Sequence, residues 1–172
     1  LEPDESELRS KNPFVSTALL RYQREVSILK KGYAQETYRV QQLRRSPLGK
    51  KRMREVTSVD IADYRDARLK ALNPKTGKQI SPATVRLELS LLSNFFEVAR
   101  IEWGYCEGTN PCADVRKPKL PPGRDRRMTS REERLVLRYA HAHPNTDLYS
   151  IIVIALETAM RHGEVLRLRW EH

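Results

Sequence analysis

The 172-residue sequence lacks an apolar run long enough to span a bilayer and opens with no secretory signal. Cysteine is scarce. Cys106 and Cys112 flank a Gly-Thr-Asn-Pro turn, so a disulfide is geometrically possible, although a cytosolic protein usually keeps such thiols reduced. Metal-ligand spacing is also missing, because His141 and His143 stand two apart with no partner pair nearby. The sequence therefore excludes a membrane-spanning helix and predicts no metal site.

Positive charge is abundant. The chain has 32 Lys and Arg residues against 22 Asp and Glu residues, and its net charge is +10. Such an excess favours a polyanionic partner, because cationic patches release counterions from nucleic acid. Charge alone does not separate DNA from RNA or from an anionic membrane. The length suits one ordinary domain, or a small domain plus part of another. The first residue, Leu1, and the last, His172, predict a fragment of a longer protein.

Apolar periodicity predicts a mostly α-helical chain after a flexible, charged end at residues 1–12. The predicted helices run from Pro13 to Leu29 and from about Gln35 to Arg44. A third opens with capping residues at Thr57, and a fourth opens at Ser81-Pro82 with serine at the cap. The residues expected to face inward are Phe14, Ala18, Leu19, Tyr22, Val26, Leu29, Tyr38, Leu43, Ile61, Tyr64, Leu69, Leu72, Val85, Leu89, Leu92, Phe96 and Ala99.

Two segments in this helical region carry candidate nucleic-acid contacts. The proline and glycine in residues 44–52 predict a loop. This loop is either solvated or a phosphate-contacting edge. Their basic residues are Arg44, Arg45, Lys50, Lys51 and Arg52. The start of the fourth helix bears Thr84 and Arg86. It either enters a major groove or is an ordinary surface.

Residues 116–127 have the composition of a basic linker between two domains. They are rich in proline and lack apolar periodicity, and they contain one acidic residue, Asp125, among many basic residues. The candidate phosphate contacts here are Lys117, Lys119, Arg124, Arg126 and Arg127. A second unit then begins at Met128, with a capping box from Thr129 to Glu132.

The most informative stretch runs from residue 148 to residue 170. An apolar run at 151–156 predicts a helix buried in a soluble core, followed by a tight break and a second helix. Arg161 stands at the break. It either forms a structural pair with Glu157 or Glu164, or is held by Glu164 and aimed at an anion, for which its planar fork is well suited.

Residues 155–170 resemble the first catalytic-arginine motif of the tyrosine site-specific recombinases, or phage integrases. That motif runs T-G-x-R-x-x-E-hydrophobic-x-x-L-x-W. Ala159 departs from it, since glycine is usual there. The residues that fit it are Thr158, Arg161, Glu164, Val165, Leu168 and Trp170. The sequences of residues 59–61, 84–89 and 123–127 are similar to those of shufflon-type DNA invertases.

The resemblance implies a SAM-like helical core-binding domain at 13–115 and the first helices of an α+β catalytic domain at 128–172. It implies a cytoplasmic, nucleoid-associated protein of bacterial or phage origin that binds double-stranded DNA without a membrane. Full-length relatives would act as tetramers on two DNA sites. They would break and rejoin strands through a 3′-phosphotyrosine, with no cofactor or metal, for integration, excision or inversion.

In that chemistry Arg161 would contact the scissile phosphate and Glu164 would orient Arg161. The family's lysine, histidine-x-x-arginine motif and nucleophilic tyrosine all follow the first arginine, so this chain is assigned no nucleophile and is predicted to bind DNA without cutting it. The alternative is a non-catalytic helical DNA-binding protein on the same scaffold. A helical protein-interaction module would leave the excess positive charge unexplained.

Overall fold

The computed structural model describes residues 11–74, 76–123, 125–169 and 171. The predicted flexible end is therefore almost entirely outside the described residues, as are Arg124 and Trp170. The chain forms two compact units, the first reaching to Pro121 and the second starting at Pro122. In the described ranges the backbone is mostly helical and pairs only at isolated β-bridges. The predicted mostly α fold is confirmed.

The described residues of the first unit form four α-helices with short 3₁₀ turns between them. The α-helices are α1 (Val15–Glu25), α2 (Tyr33–Arg45), α3 (Ser58–Lys70) and α4 (Pro82–Ile101). The 3₁₀ turns are Ser27–Leu29, Pro47–Lys50 and Met53–Glu55.

The starts of α3 and α4 follow the predicted capping chemistry. Thr57 accepts a hydrogen bond from the backbone of Asp60, and the Asp60 carboxylate accepts one from the Thr57 backbone at 2.9 Å. Ser81 accepts from the backbone of Thr84 at 3.2 Å, with Pro82 in the first helical position. These contacts satisfy amide groups that an uncapped helix leaves without partners.

Helix α4 supplies the centre of the core. Its predicted apolar stripe is buried, and the ring of Phe95 meets Tyr22 of α1 edge to face, with centroids 5.7 Å apart. Phe95 also lies 5.1 Å from Phe96. Edge-to-face pairs of this kind add to the stabilisation that burial provides. The fully buried members of the predicted set are Ala18, Leu19, Tyr22, Leu43, Ile61, Val85, Leu92, Phe96 and Ala99.

Three residues predicted to face inward are exposed. Leu29 is 83% exposed because α1 ends at Glu25 and a 3₁₀ turn changes the register beyond it. Tyr38 is 74% exposed. The buried face of α2 carries Val40 and Leu43, and two helical positions separate side chains by roughly 200°. Leu72 lies beyond the end of α3 and pairs with Gln79 in a bridge.

The segment 44–52 connects α2 to α3 through a short 3₁₀ turn and is packed, so the alternative of a solvated loop is wrong. Leu48 and Gly49 are buried in the 3₁₀ turn, and the Val15 amide donates to the Lys51 carbonyl at 2.9 Å. A Cβ on Gly49 would lie 2.1 Å from the Arg44 carbonyl oxygen. Only glycine fits that approach, and the turn is consequently a fixed part of the domain.

The second unit contains α5 (Ser130–His141), α6 (Asp147–Thr158) and α7 (His162–Val165). Its capping box forms as predicted, with the Thr129 amide 2.9 Å from the Glu132 carboxylate. Helix α6 has no fully buried residue in this structure, which contradicts the prediction of a buried helix. The reason is that its described packing partners are α5 and α7, which leave 151–155 half-buried and Leu156 40% exposed.

A membrane-spanning helix is not found anywhere in the described ranges.

Candidate functional site

Arg161 lies at the break between α6 and α7, immediately before the first residue of α7. Its backbone amide donates to Glu164 Oε2 at 2.8 Å, and its guanidinium Nη1 lies 3.3 Å from Glu164 Oε1. The guanidinium remains 89% exposed. Of the two partners considered from the sequence, Glu164 is the one observed. A guanidinium has five N–H donors, so most of the fork stays available to an anion.

The Arg161–Glu164 pair does more for orientation than for stability. Both side chains are largely exposed, at 89% and 54%, and exposed ion pairs contribute little to folding because water and salt screen them. The same carboxylate nevertheless holds the arginine at two points, one on its backbone and one on its side chain. This geometry restricts where the guanidinium can point.

The turn before Arg161 is shaped by Thr158 and Ala159. Thr158 Oγ1 donates to the Ile154 carbonyl at 2.6 Å and accepts from the Met160 amide at 3.3 Å. Ala159 has φ 55° and ψ 20°, a left-handed conformation that favours glycine. The motif position at which glycine is usual is therefore the position that needs positive φ. His162 begins α7 and is exposed.

The predicted basic edge at 44–52 contains some cations that are exposed and others that contact residues of the same unit. Arg45 and Lys50 are exposed. Lys51 pairs with Asp60 at 2.5 Å, and the Arg52 guanidinium stacks over the Phe14 ring at 4.0 Å. Arg44 is half-buried, and burial, together with the charge of Arg45, lowers its pKa. Arg45 and Lys50 are the members of this set whose charge is most open to a ligand.

The predicted contacts at the start of α4 also have partners within the protein. Thr84 Oγ1 lies 2.9 Å from Ser81 Oγ. Arg86 Nη1 donates to the carbonyl of Pro118, at 3.1 Å. Arg86 is therefore tied to the first part of the predicted linker.

The remaining linker cations are mostly at the surface. Lys117, Lys119 and Arg127 are exposed, while Arg126 pairs with Glu132 near the start of α5. Arg124 lies outside the described residues. The structure thus places predicted contacts on both units, and their roles toward DNA stay predictions.

Sequence reasoning missed Arg65. Its guanidinium forms two hydrogen bonds with Asp66, at 2.7 and 3.0 Å, and a third to the carbonyl of Arg116, at 2.9 Å. The third bond spans a large sequence separation, so no local pattern could have indicated it. The Arg-Asp dipeptide at residues 65–66, within a predicted helix, is the weak signal that the sequence contains.

Comparison with known proteins finds sequence relatives and a solved structure of similar fold. The chain is 56% identical over 158 residues to a shufflon-specific DNA recombinase of Escherichia coli, covering 92% of this chain and 41% of the relative. It is 33% identical over 161 residues to a putative integrase/recombinase of Haemophilus influenzae, covering 88% and 41%. The chain therefore spans less than half the length of these relatives. No family model matches the sequence.

Among solved structures, the fold matches the integrase of transposon Tn1549 in complex with circular intermediate DNA. The TM-score is 0.68 at 20% identity, covering 92% of this chain and 50% of that one. This likeness concerns the fold, while the 56% identity confirms the predicted resemblance to shufflon-type recombinases. The sequence relatives are DNA recombinases and integrases and the fold matches that of an integrase, so both comparisons agree with the predicted resemblance to the tyrosine recombinases.

Proposed function

We propose that the protein containing this chain binds double-stranded DNA and breaks and rejoins its strands through a 3′-phosphotyrosine intermediate. The observation that carries the proposal is the state of Arg161, which is exposed at a helix break and held at two points by Glu164. The identity to a site-specific recombinase and the net positive charge support it.

In this proposal Arg161 binds the scissile phosphate. Charge develops on the phosphoryl oxygens in the transition state, and a guanidinium already fixed in place stabilises that charge without reorganising. Loss of one such donor costs about 3 kcal/mol, or roughly a hundredfold in rate. Glu164 acts through Arg161 by fixing its direction. A lysine at this position would offer a point charge in place of a planar fork.

The chain by itself is proposed to bind DNA without cutting it, because it is assigned no nucleophilic tyrosine. Phosphate contacts from the linker and from the edge near Arg45 and Lys50 supply affinity, and the first unit supplies sequence choice. The complete protein acts in the cytoplasm and assembles as a tetramer on two DNA sites.

A trapping experiment tests the chemistry. A full-length protein that includes this chain is incubated with a nicked duplex taken from the DNA flanking its gene, and a covalent protein–DNA adduct is sought after detergent treatment. The wild type is expected to form the adduct. Arg161→Ala is expected to reduce its rate of formation roughly a hundredfold, while DNA binding persists.

A matched variant separates catalysis from folding. Arg138→Ala removes an exposed arginine from α5 of the same unit and should leave adduct formation unchanged. Absence of an adduct on specifically bound DNA would show that the protein binds DNA without catalysis, and Arg161 would then be a structural ion pair.

A further inference from the structure

The predicted linker begins with a short segment that is bound to the first unit. After α4 the chain reaches residues 116–118, where Pro118 is buried. The Arg116 carbonyl accepts from Arg65 of α3 at 2.9 Å, and the Pro118 carbonyl accepts from Arg86 of α4 at 3.1 Å. Two helices therefore each contribute one arginine to the same stretch of backbone.

The two arginines are suited to holding a backbone in place. Arg65 is fixed by its two hydrogen bonds to Asp66, and its side chain is only 20% exposed. The Arg86 contact is part-buried. Hydrogen bonds from a charged donor are stronger than neutral ones. Residues 116–118 consequently belong to the rigid part of the first unit.

Because this backbone is held, the positions of Lys117 and Lys119 are restricted as well. Lys117 lies between the two bound carbonyl groups, and Lys119 follows directly after Pro118. Both lysines are exposed while Pro118 between them is buried. Lys117 and Lys119 therefore flank a buried residue, and both present their side chains to solvent.

We propose that Arg65 and Arg86 are positioning residues for DNA binding, which hold residues 116–118 so that Lys117 and Lys119 meet one phosphate strand together. The inference rests on the proposed DNA-binding function and gives Arg86 an indirect role in place of a direct base contact. Cations that are already placed lose less conformational freedom on binding than cations on a free linker. The positioning arginines thus add affinity without touching DNA.

A double-mutant cycle tests this. Binding of the chain to a fluorescein-labelled 30-base-pair duplex is measured by anisotropy over a series of salt concentrations. The four proteins are the wild type, Lys117→Gln with Lys119→Gln, Arg65→Gln with Arg86→Gln, and the variant with all four changes. Circular dichroism checks that each is folded.

The lysine variant is expected to lower the slope of log affinity against log salt by about 2, since each phosphate contact contributes about 0.9. In the arginine-variant background the same lysine changes are expected to lower it by less than half as much. Cleavage by trypsin after Lys119 is expected to be faster in the arginine variant, because the segment is no longer held.

A matched pair controls for charge. Arg24→Gln with Lys31→Gln removes two exposed cations from the first unit and should preserve the full effect of the lysine changes. Strictly additive effects of the arginine and lysine changes would overturn the positioning role, as would unchanged trypsin cleavage. If the wild type shows no salt-dependent binding, the proposed DNA-binding function fails first, and the inference fails with it.

Discussion

Arg68 of α3 and Glu88 of α4 form a buried ion pair joined by two hydrogen bonds. Arg68 Nε donates to Glu88 Oε2 at 2.9 Å, and Nη2 donates to Oε1 at 2.6 Å. The Tyr64 hydroxyl also donates to Oε2, at 2.8 Å. Glu88 is only 2% exposed, so these bonds replace the water that its carboxylate loses. The network fixes α3 against α4, the two helices that bear Arg65 and Arg86.

Truncating Arg68 should destabilise the first unit strongly. Arg68→Ala leaves the Glu88 charge buried without its partner, which costs about 3 to 5 kcal/mol. Urea unfolding monitored by circular dichroism measures the loss. Replacing the whole network with apolar residues, as Arg68→Met, Glu88→Leu and Tyr64→Phe, should restore most of the stability. An Arg68→Ala protein as stable as the wild type would show that the pair contributes nothing to the fold.

Ala159→Gly should stabilise the break before Arg161. An L-residue in the left-handed region costs about 1 to 2 kcal/mol. Glycine removes this cost, but its greater conformational freedom in the unfolded state offsets part of the gain. We expect a net gain of about 1 kcal/mol, measured by hydrogen exchange of the amides in α6 and α7. The same change at Ala142, which ends α5 with φ −83°, should give no gain. Equal effects at the two positions would contradict the role of positive φ.

Asp60 should give the first unit an acid-sensitive contribution to stability. Burial acts to raise the pKa of Asp60, but hydrogen bonds from Lys51 and Thr57 outweigh it and leave the pKa below its ordinary value. The folded state therefore binds the Asp60 proton more weakly than the unfolded state does. The contribution is complete above the unfolded pKa of about 4 and is lost as pH falls through the lower folded value.

The test compares thermal unfolding of the wild type and Asp60→Asn between pH 7 and pH 2. The variant should lose stability at neutral pH and show a smaller further loss on acidification. Asp63→Asn, which changes an exposed carboxylate on the same helix, should keep the wild-type acid response. Parallel acid profiles for the wild type and Asp60→Asn would disprove the assignment.

Local chemistry explains which parts of the fold were predictable. The caps at Thr57, Ser81 and Thr129 and the apolar stripe of α4 depend on residues close in sequence. The positions of Leu29 and Leu72 depend on where a helix ends, which periodicity alone did not give. The buried segment at 44–52 needed the packing of Leu48 and Gly49 against other helices. Propensity cannot supply such tertiary contacts.

The candidate site likewise has features that the local sequence predicts and contacts that depend on tertiary packing. A short motif predicts the break at Arg161 and offers Glu164 as a candidate partner, although spacing alone also allows Glu157. The contact of Arg86 with Pro118, and that of Arg65 with Arg116, join residues far apart in sequence. No spacing rule connects such residues, and a sequence pattern could offer Arg86 only as an exposed cation.

Neutralising the linker arginines Arg126 and Arg127 should weaken DNA binding whatever the duplex sequence. Phosphate contacts carry no sequence information, and each lost contact lowers the salt slope by about 0.9. Because Arg126 already pairs with Glu132 and Arg127 is exposed, Arg127→Gln should cost more affinity than Arg126→Gln. The measurement is a salt titration of binding to two unrelated duplexes. Arg134→Gln, on the exposed face of α5, serves as the control, and salt slopes unchanged by both linker variants would remove the linker from the DNA interface.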